Sequence, residues 1–399
     1  MTGPLNWFAQ VVSIAVFNLR TMPQRVGSSA TAMFGIAGVV AVMVGVLSIA
    51  QGILQTMQQS AAPENVVVLR SGSNSEMMSI LLGDDVRYIA EAPGVARDEN
   101  GALASPELYV IIDLPKKDSG TDANVPLRGV TRQAPAVHRD FRIVEGRMFE
   151  WGLNEVVVGV GARREFKGLE LGSAIEVKGE QWPVVGVFEA NGGVAEAEIW
   201  VDAAVLQPAY QRGNSFQAVY ARLVSRDAFQ EFKDALTSDP RLNVKPLRET
   251  DYYAEQSDTL YRLITTLGTL IAVIMGFGAV FGALNTMYTA VAARAREIAT
   301  LRALGFHSGP VVISVLLESL LLALAGGVIG ATLAWAVFDG FSASTLNWSS
   351  FSQLTFAFDV SVPLLIQGVV FALLIGFFGG LFPAVRAARQ PIATALREQ

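Results

Sequence analysis

Long uncharged intervals are the feature that most constrains what this chain can fold into. Residues 26–63, 263–293 and 360–385 contain no charged side chain, and residues 310–338 contain only Glu318. A transmembrane helix needs about 20 predominantly apolar residues. The sequence therefore predicts an α-helical membrane protein with four transmembrane helices, which we place at residues 26–57, 256–293 (with a preceding polar stalk), 310–338 and 361–383.

The charged residues are concentrated between the first two spans. Only 17% of the 399 residues are charged, against roughly 25% in a soluble chain. Residues 60–258 nevertheless contain 31 of the 36 acids and 21 of the 30 bases, a net charge of −10. This distribution predicts one large water-facing domain, at residues 58–255, inserted between spans one and two.

Basic residues outside this insert indicate the orientation of the chain. Short cytoplasmic loops are enriched in lysine and arginine. The short loop at 339–360 contains Asp339 and Asp359 and no base, whereas the N-terminal segment, the loop at 294–309 and the tail at 384–399 share eight arginines: Arg20, Arg25, Arg294, Arg296, Arg302, Arg386, Arg389 and Arg397. The pattern predicts cytoplasmic termini and an extracytoplasmic insert.

The first 25 residues contain an apolar run, from Leu5 to Leu19, that is short for a span. A cleaved signal peptide is one interpretation, but no basic residue precedes the run and no clear cleavage site follows it. We favour an interfacial helix at residues 1–25, because Trp7 and Phe8 suit the headgroup boundary.

Within the insert, short apolar runs alternate with amphipathic ones, which predicts an α+β domain with β-α-β units. Strands are predicted at 64–70, 107–113, 175–189 (two strands), 216–224 and 242–247, helices at 84–94 and 226–240, and a strand leading into a helix at 154–166. A polar helix at about 249–262 then leads into the second span.

Most catalytic and cofactor chemistry is excluded by residue type. The chain has no cysteine, and its two histidines, His138 and His307, are far apart, so cysteine- or histidine-based metal sites and triads are not expected. Gly159 and Gly161 lack the third glycine of a dinucleotide motif, since Arg164 stands there, and no P-loop sequence exists. We expect no catalytic residue, cofactor or metal on this chain.

Small residues spaced by four recur in three spans and predict close helix packing. The pairs are Gly278 with Gly282, Gly326 with Gly330, and Gly376 with Gly380.

Three separated segments resemble those of one permease family. They are ARAREIATLRALGF (293–306), the tail GGLFPAVRAARQPIATALRE (379–398), and VEGRMFEWGLNEVVVG (144–159) in the insert. These segments, and their order along the chain, are similar to those of ABC transporter permeases of the FtsX/MacB type. In that family a large extracytoplasmic domain follows the first of four spans. The tail match includes Pro383, Arg386, Arg389 and Pro391.

The resemblance implies that residues 294–309 form a coupling helix that docks on an ATPase. Independently of it, the spacing of Ile298, Leu301 and Leu304 predicts a short amphipathic helix at the membrane surface, which Gly305 would end. The assigned coupling residues are Arg294, Arg296, Glu297, Ile298, Leu301, Arg302, Leu304 and Gly305.

Glu318 is an acid within the third span, and such residues are usually functional. Two roles remain open: an ion pair with an arginine at the cytoplasmic end, which we favour, and a proton relay.

The family further implies a subunit of the bacterial inner membrane that works by mechanotransmission on an amphiphilic or periplasmic substrate. A lipoprotein, glycolipid, peptide or macrolide would fit. The implied partners are a separate MacB/LolD-type ATPase carrying ATP and Mg²⁺, a second or sister permease, and membrane lipid. A periplasmic adaptor is allowed, and no nucleic acid is implied.

Two other functions remain open from the sequence. One is an FtsX-like regulator that activates a cell-wall hydrolase, and the other is a resistance or sensor permease, which normally has more spans.

Overall fold

The computed structural model describes residues 26–138, 140–347 and 352–391; the predicted interfacial helix at 1–25 and the tail residues 392–399 lie outside these ranges. The helices are α1 (Val26–Ser60), α2 (Gly83–Glu91), α3 (Ala134–Val137), α4 (Val160–Glu165), α5 (Ala203–Ala209), α6 (Phe229–Ser238), α7 (Glu249–Ala293), α8 (Ala295–Ala303), α9 (Ser308–Phe338) and α10 (Val362–Arg389).

The strands are β1 (Asn65–Arg70), β2 (Leu81–Leu82), β3 (Arg97–Asp98), β4 (Gly101–Ala102), β5 (Ala104–Pro115), β6 (Asp122–Val130), β7 (Phe141–Gly146), β8 (Val156–Gly159), β9 (Ala174–Val177), β10 (Glu180–Ala190), β11 (Ile199–Asp202), β12 (Ser215–Phe216), β13 (Ala218–Arg222), β14 (Val244–Arg248), β15 (Ser342–Asn347) and β16 (Ser352–Ala357). The chain divides into a membrane unit, residues 1–51, 262–341 and 358–399, and an outer domain, residues 52–261 and 342–357.

Four helices, α1, α7, α9 and α10, are long and apolar enough to cross a membrane, which confirms the predicted fold class. The fourth span differs from its prediction at one end. α10 continues through the buried Pro383 to Arg389, so residues 384–389, which we had placed in the tail, are helical.

Two of the three predicted glycine pairs lie at helix contacts in the membrane unit. A Cβ at Gly326 or Gly330 would overlap the backbone carbonyl of Met33 or Ala37, so α9 packs closely on α1. A Cβ at Gly376 or Gly380 would meet the side chains of Ala323 and Ser319 on α9, which places α10 on the same helix. Ser319 Oγ also donates a hydrogen bond of 2.7 Å to the Gly376 carbonyl. Small residues permit these approaches because they let helix backbones come together.

The third pair, Gly278 with Gly282, does not lie at a helix contact within the described membrane unit. Among the described residues, nothing lies within 4 Å of a Cβ built at Gly278 or Gly282. They share the face of α7 that carries the exposed Phe277 and Phe281. The contacts of α7 fall on other glycines: Gly268 meets Val46 of α1, and Gly276 meets Phe371 of α10.

The outer domain is built on a ten-stranded mixed sheet. The strand order is β14-β1-β13-β5-β6-β11-β8-β10-β7, with β9 on β10. Most neighbours are antiparallel, but β6 pairs with β11 and β8 with β10 in parallel. Helix α4 follows β8 directly and provides the crossover of a β-α-β unit. The predicted α+β class is confirmed.

The sheet has apolar cores on both faces, because central strands such as β8 are buried along their whole length. Val156 and Val158 of β8 pack in one core with Trp182, and Val157 packs in another with Trp200. Successive strand residues point to opposite faces, so a strand such as VVVG, apolar at every position, is suited to the interior of a covered sheet.

Several strands were missed from the sequence. Strand β6 contains Pro126 and Arg128, which break the apolar pattern, β7 contains the charged Arg142 and Glu145, and β11 has only four residues. The segment 339–360, predicted as a loop, contains the β15–β16 hairpin, and residues 342–357 group with the outer domain. Its polar sequence gave no strand signal.

Gly159 has a packing role. A Cβ there would overlap the backbone carbonyl of Glu196, so the glycine allows two backbones to approach closely rather than forming part of a nucleotide site.

Candidate functional site

The segment assigned to coupling folds as predicted into a short helix in the membrane unit. Helix α8 runs over Ala295–Ala303, with Arg294 at its N-cap. Gly305 has a φ of +99°, a conformation that glycine adopts without strain and that commonly ends helices. α9 begins three residues later, at Ser308.

The apolar side of α8 faces the protein. Ile298 and Leu301 pack against a core that includes Val311 and Val315 of α9 and Ala384 of α10. The bundle itself therefore covers Ile298 and Leu301, two of the residues assigned to coupling.

The opposite side of α8 is solvent-facing. Arg296, Glu297 and Thr300 are exposed, and Leu304 has 74% of its surface exposed. Leu304 is thus an exposed apolar side chain near charged residues, at the end of a helix whose other side packs in the bundle.

A buried ion pair supports the start of α8. The Nη2 atom of Arg294 lies 2.6 and 2.5 Å from Oε1 and Oε2 of Glu318, and both side chains are only 5% exposed. Glu318 thus pairs with an arginine at the end of the second span, as its favoured structural role requires. Since a buried charge is costly unless it is paired, this contact fixes α8 to α9.

Residues of the tail motif lie beside this region. Arg302 Nη1 donates a hydrogen bond of 2.6 Å to the Gln390 carbonyl at the end of α10. The Arg386 guanidinium lies 5.6 Å from the centre of the Tyr288 ring. Arg389 and Pro391 are exposed, whereas Pro383 is buried in α10.

The outer domain contains a second candidate site that the sequence did not predict: a buried charge cluster centred on Arg128 of β6. Arg128 Nη1 lies 2.7 Å from Glu76 and 2.9 Å from Glu107. Its Nε and Nη2 atoms each lie 2.7 Å from an oxygen of Glu198. One guanidinium therefore holds three carboxylates, in a region that is almost fully buried.

Aromatic side chains and His138 complete this cluster. Tyr220 and Tyr252 donate hydrogen bonds of 2.7 and 3.3 Å to Glu76, and Trp200 donates one of 2.9 Å to Glu198. His138 Nε2 lies 2.7 Å from Glu107. Tyr252 belongs to the first turns of α7, so the cluster ties the start of that helix to the centre of the sheet.

His138 in the cluster and Glu249 beside it both have raised pKa values. Burial opposes the charged form of His138, but the Glu107 carboxylate outweighs it and raises the pKa of His138 above its usual value. Glu249, the first residue of α7, accepts a 2.8 Å hydrogen bond from the Ala62 amide. Burial raises the pKa of Glu249 to about 7, although that bond and His138 oppose the shift.

One signal could have revealed the cluster. Glu107, Arg128 and Glu198 are charged residues within or beside apolar strand sequences, and buried charges must find partners. The sequence could not show that these particular residues meet.

Comparison with known proteins identifies the family. Residues 29–239 match the model of the MacB-like periplasmic core domain, and residues 269–392 match the FtsX-like permease C-terminal domain. The chain belongs to the MacB/FtsX-type ABC transporter permeases. Such a permease works with an ATPase, so an ATPase partner is implied.

Individual relatives of this permease agree over most of its length. It is 26% identical to the ABC transporter permease YvrN of Bacillus subtilis, over 92% of this chain and 94% of that protein. It is also 26% identical to the macrolide export ATP-binding/permease protein MacB of Bdellovibrio bacteriovorus, over 92% of this chain but 59% of MacB. The extracellular domain of YknZ from Gram-positive bacteria aligns with 46% of the permease, at 14% identity and a TM-score of 0.35.

Proposed function

We propose that this permease is the membrane subunit of an ABC exporter or extractor that acts by mechanotransmission. An ATPase of the MacB/LolD type, on a separate polypeptide, binds ATP and Mg²⁺ and docks on α8. The main support for this docking is that Arg296, Glu297 and Leu304 are exposed together, while the other face of the helix packs in the bundle.

The arrangement in the membrane follows from the arginine distribution. We place the chain in the bacterial inner membrane with both termini cytoplasmic and the outer domain in the periplasm or outside the cell, because the bases of the short segments belong on the cytoplasmic side. Two permeases, identical or sister chains, work with two ATPases, and a periplasmic adaptor is a further candidate partner.

The substrate is an amphiphilic or periplasmic molecule such as a lipoprotein, glycolipid, peptide or macrolide. MacB, a macrolide exporter by its description, is 26% identical to this chain over 59% of its own length, which supports this class. The hydrolase-regulator hypothesis gains no support from the relatives.

A double variant and a matched control test whether the ATPase docks on the exposed side of α8. Glu297→Lys combined with Leu304→Asp should leave folding intact, because both residues are exposed. Loss of an interface anchor costs about 2 kcal/mol or more, so ATPase association should weaken about 30-fold and stimulated ATP turnover should fall with it. Leu301→Asp, the matched control, should instead lower the thermal unfolding midpoint, because Leu301 packs in the core. Full ATPase association and turnover in the double variant would refute the assignment.

A further inference from the structure

A cavity of about 300 Å³ lies in the membrane unit between the ends of α7 and α10. Tyr288, Thr289, Val291 and Ala292 line it from α7, and Arg386 and Gln390 from α10. Its volume is at the lower end of the range of small-molecule sites. None of the lining residues is acidic.

Arg386 differs from the two arginines near it. Arg294 pairs with Glu318, and Arg302 donates to the Gln390 carbonyl. Within residues 26–138, 140–347 and 352–391, Arg386 forms no ion pair; its described partner is the face of the Tyr288 ring. The cavity therefore contains an exposed cation with donor capacity left for an anion.

The surface leading to the cavity is apolar. On α10, Leu374, Phe378 and Phe382 are about half exposed and recur at every fourth position, and Arg386 is the next residue in this series. Residues four apart lie on one helical face. On α7, Phe277 and Phe281 are exposed about two to three turns before Thr289. Exposed apolar residues of both helices thus precede the exposed Arg386 in the cavity.

We propose that this cavity binds the headgroup phosphate of an anionic phospholipid, with its acyl chains along Phe378 and Phe382. The guanidinium of Arg386 matches phosphate geometry, Tyr288 is suited to the membrane interface, and basic pockets between transmembrane helices bind lipid headgroups. The inference depends on the membrane unit alone and holds whether or not the permease transports.

Lipid binding to the purified, delipidated full-length permease tests the proposal by native mass spectrometry. The probes are phosphatidylglycerol, phosphatidylcholine and glycerol 3-phosphate, which has no acyl chains. We expect one preferential phosphatidylglycerol site. Arg386→Gln should weaken it at least 10-fold, and Gln390→Glu, which places a negative charge in the cavity, should do the same. Arg389→Gln removes an equal charge outside the cavity and should have no effect.

Each other outcome overturns the proposal. Equal affinity for phosphatidylglycerol and phosphatidylcholine would show that the site does not recognise the anionic headgroup. An affinity for glycerol 3-phosphate equal to that for phosphatidylglycerol would indicate a soluble phosphate ligand. Unchanged lipid binding with lost ATPase association in Arg386→Gln would assign the cavity to the ATPase contact. The thermal unfolding midpoint of each variant without lipid checks that it is folded.

Discussion

At the residue scale, each unit contains a buried ion cluster, and the two clusters differ in their ratio of positive to negative side chains. Arg294 and Glu318 neutralise each other, so breaking the pair leaves one uncompensated buried charge, which typically costs about 3–5 kcal/mol. Arg128 faces three carboxylates, Glu76, Glu107 and Glu198. The outer cluster is therefore acidic overall; Glu107 favours the protonated form of His138, whereas burial favours the protonated form of Glu249.

Protonation of groups in and beside this cluster predicts that mild acidification stabilises the outer domain. Glu249 and His138 both have pKa values raised above their usual ones. Such a group contributes its full share of the free energy of unfolding at pH values below its unfolded-state pKa. This contribution is lost as the pH rises through its folded-state pKa. For Glu249, with a pKa of about 7, lowering the pH from 8 to 6 should raise the free energy of unfolding by about 1 kcal/mol.

Glu249→Gln should reduce this pH dependence and stabilise the folded chain at pH 8, because the amide stays neutral and its oxygen can still accept from Ala62. The measurement is amide hydrogen exchange of β1 in the full-length chain, corrected for intrinsic rates, at pH 6 and pH 8. Glu189→Gln, in an exposed pair with Arg142, is the control and should behave as the unchanged chain. A pH dependence as large in Glu249→Gln as in the unchanged chain would contradict the prediction.

At the scale of elements, the glycine contacts predict unequal effects of the same substitution. Gly330→Ala forces a methyl group against the Ala37 carbonyl, and overpacking of this kind costs about 1–3 kcal/mol. Gly282→Ala meets nothing among the described residues and gains helix propensity, about 1 kcal/mol.

Unfolding in mixed detergent micelles should therefore separate the two variants by several kcal/mol of free energy of unfolding, with Gly330→Ala the less stable. Equal stabilities would argue against the α1–α9 contact. A Gly282→Ala chain that keeps its stability but no longer dimerises would place this face of α7 at a permease–permease contact.

The spans and the strands with dense apolar runs were predictable because one local pattern decides them. Uncharged length identified α1, α7 and α10, and β-branched runs identified β1 and β8. The hairpin β15–β16 is polar and depends on pairing alone. The cluster around Arg128 depends on distant residues, since Tyr252 and Glu76 are 176 positions apart, and no local pattern reports such a meeting.

At the scale of the whole molecule, the orientation is the prediction on which the functional proposal depends. The chain has no cysteine, so a single introduced cysteine reports its own side of the membrane. Ser119→Cys, in an exposed turn of the outer domain, should react with an impermeant maleimide in cells whose outer layers are permeabilised. Leu304→Cys, 74% exposed on the membrane unit, should react only after the inner membrane is opened. Labelling of both from outside would exclude the proposed topology.

The strand order of the outer domain also determines when its first strand can pair during translation. β1, the first strand of the domain to be made, pairs with β13 and β14, the last strands of its main sheet. Roughly 150 residues must be synthesised between β1 and β13, which takes about 8–30 s at 5–20 residues per second. For that time the segment NVVVLR is an unpaired apolar strand, a kind of segment prone to aggregation. The nascent chain must therefore be shielded until translation reaches the start of α7.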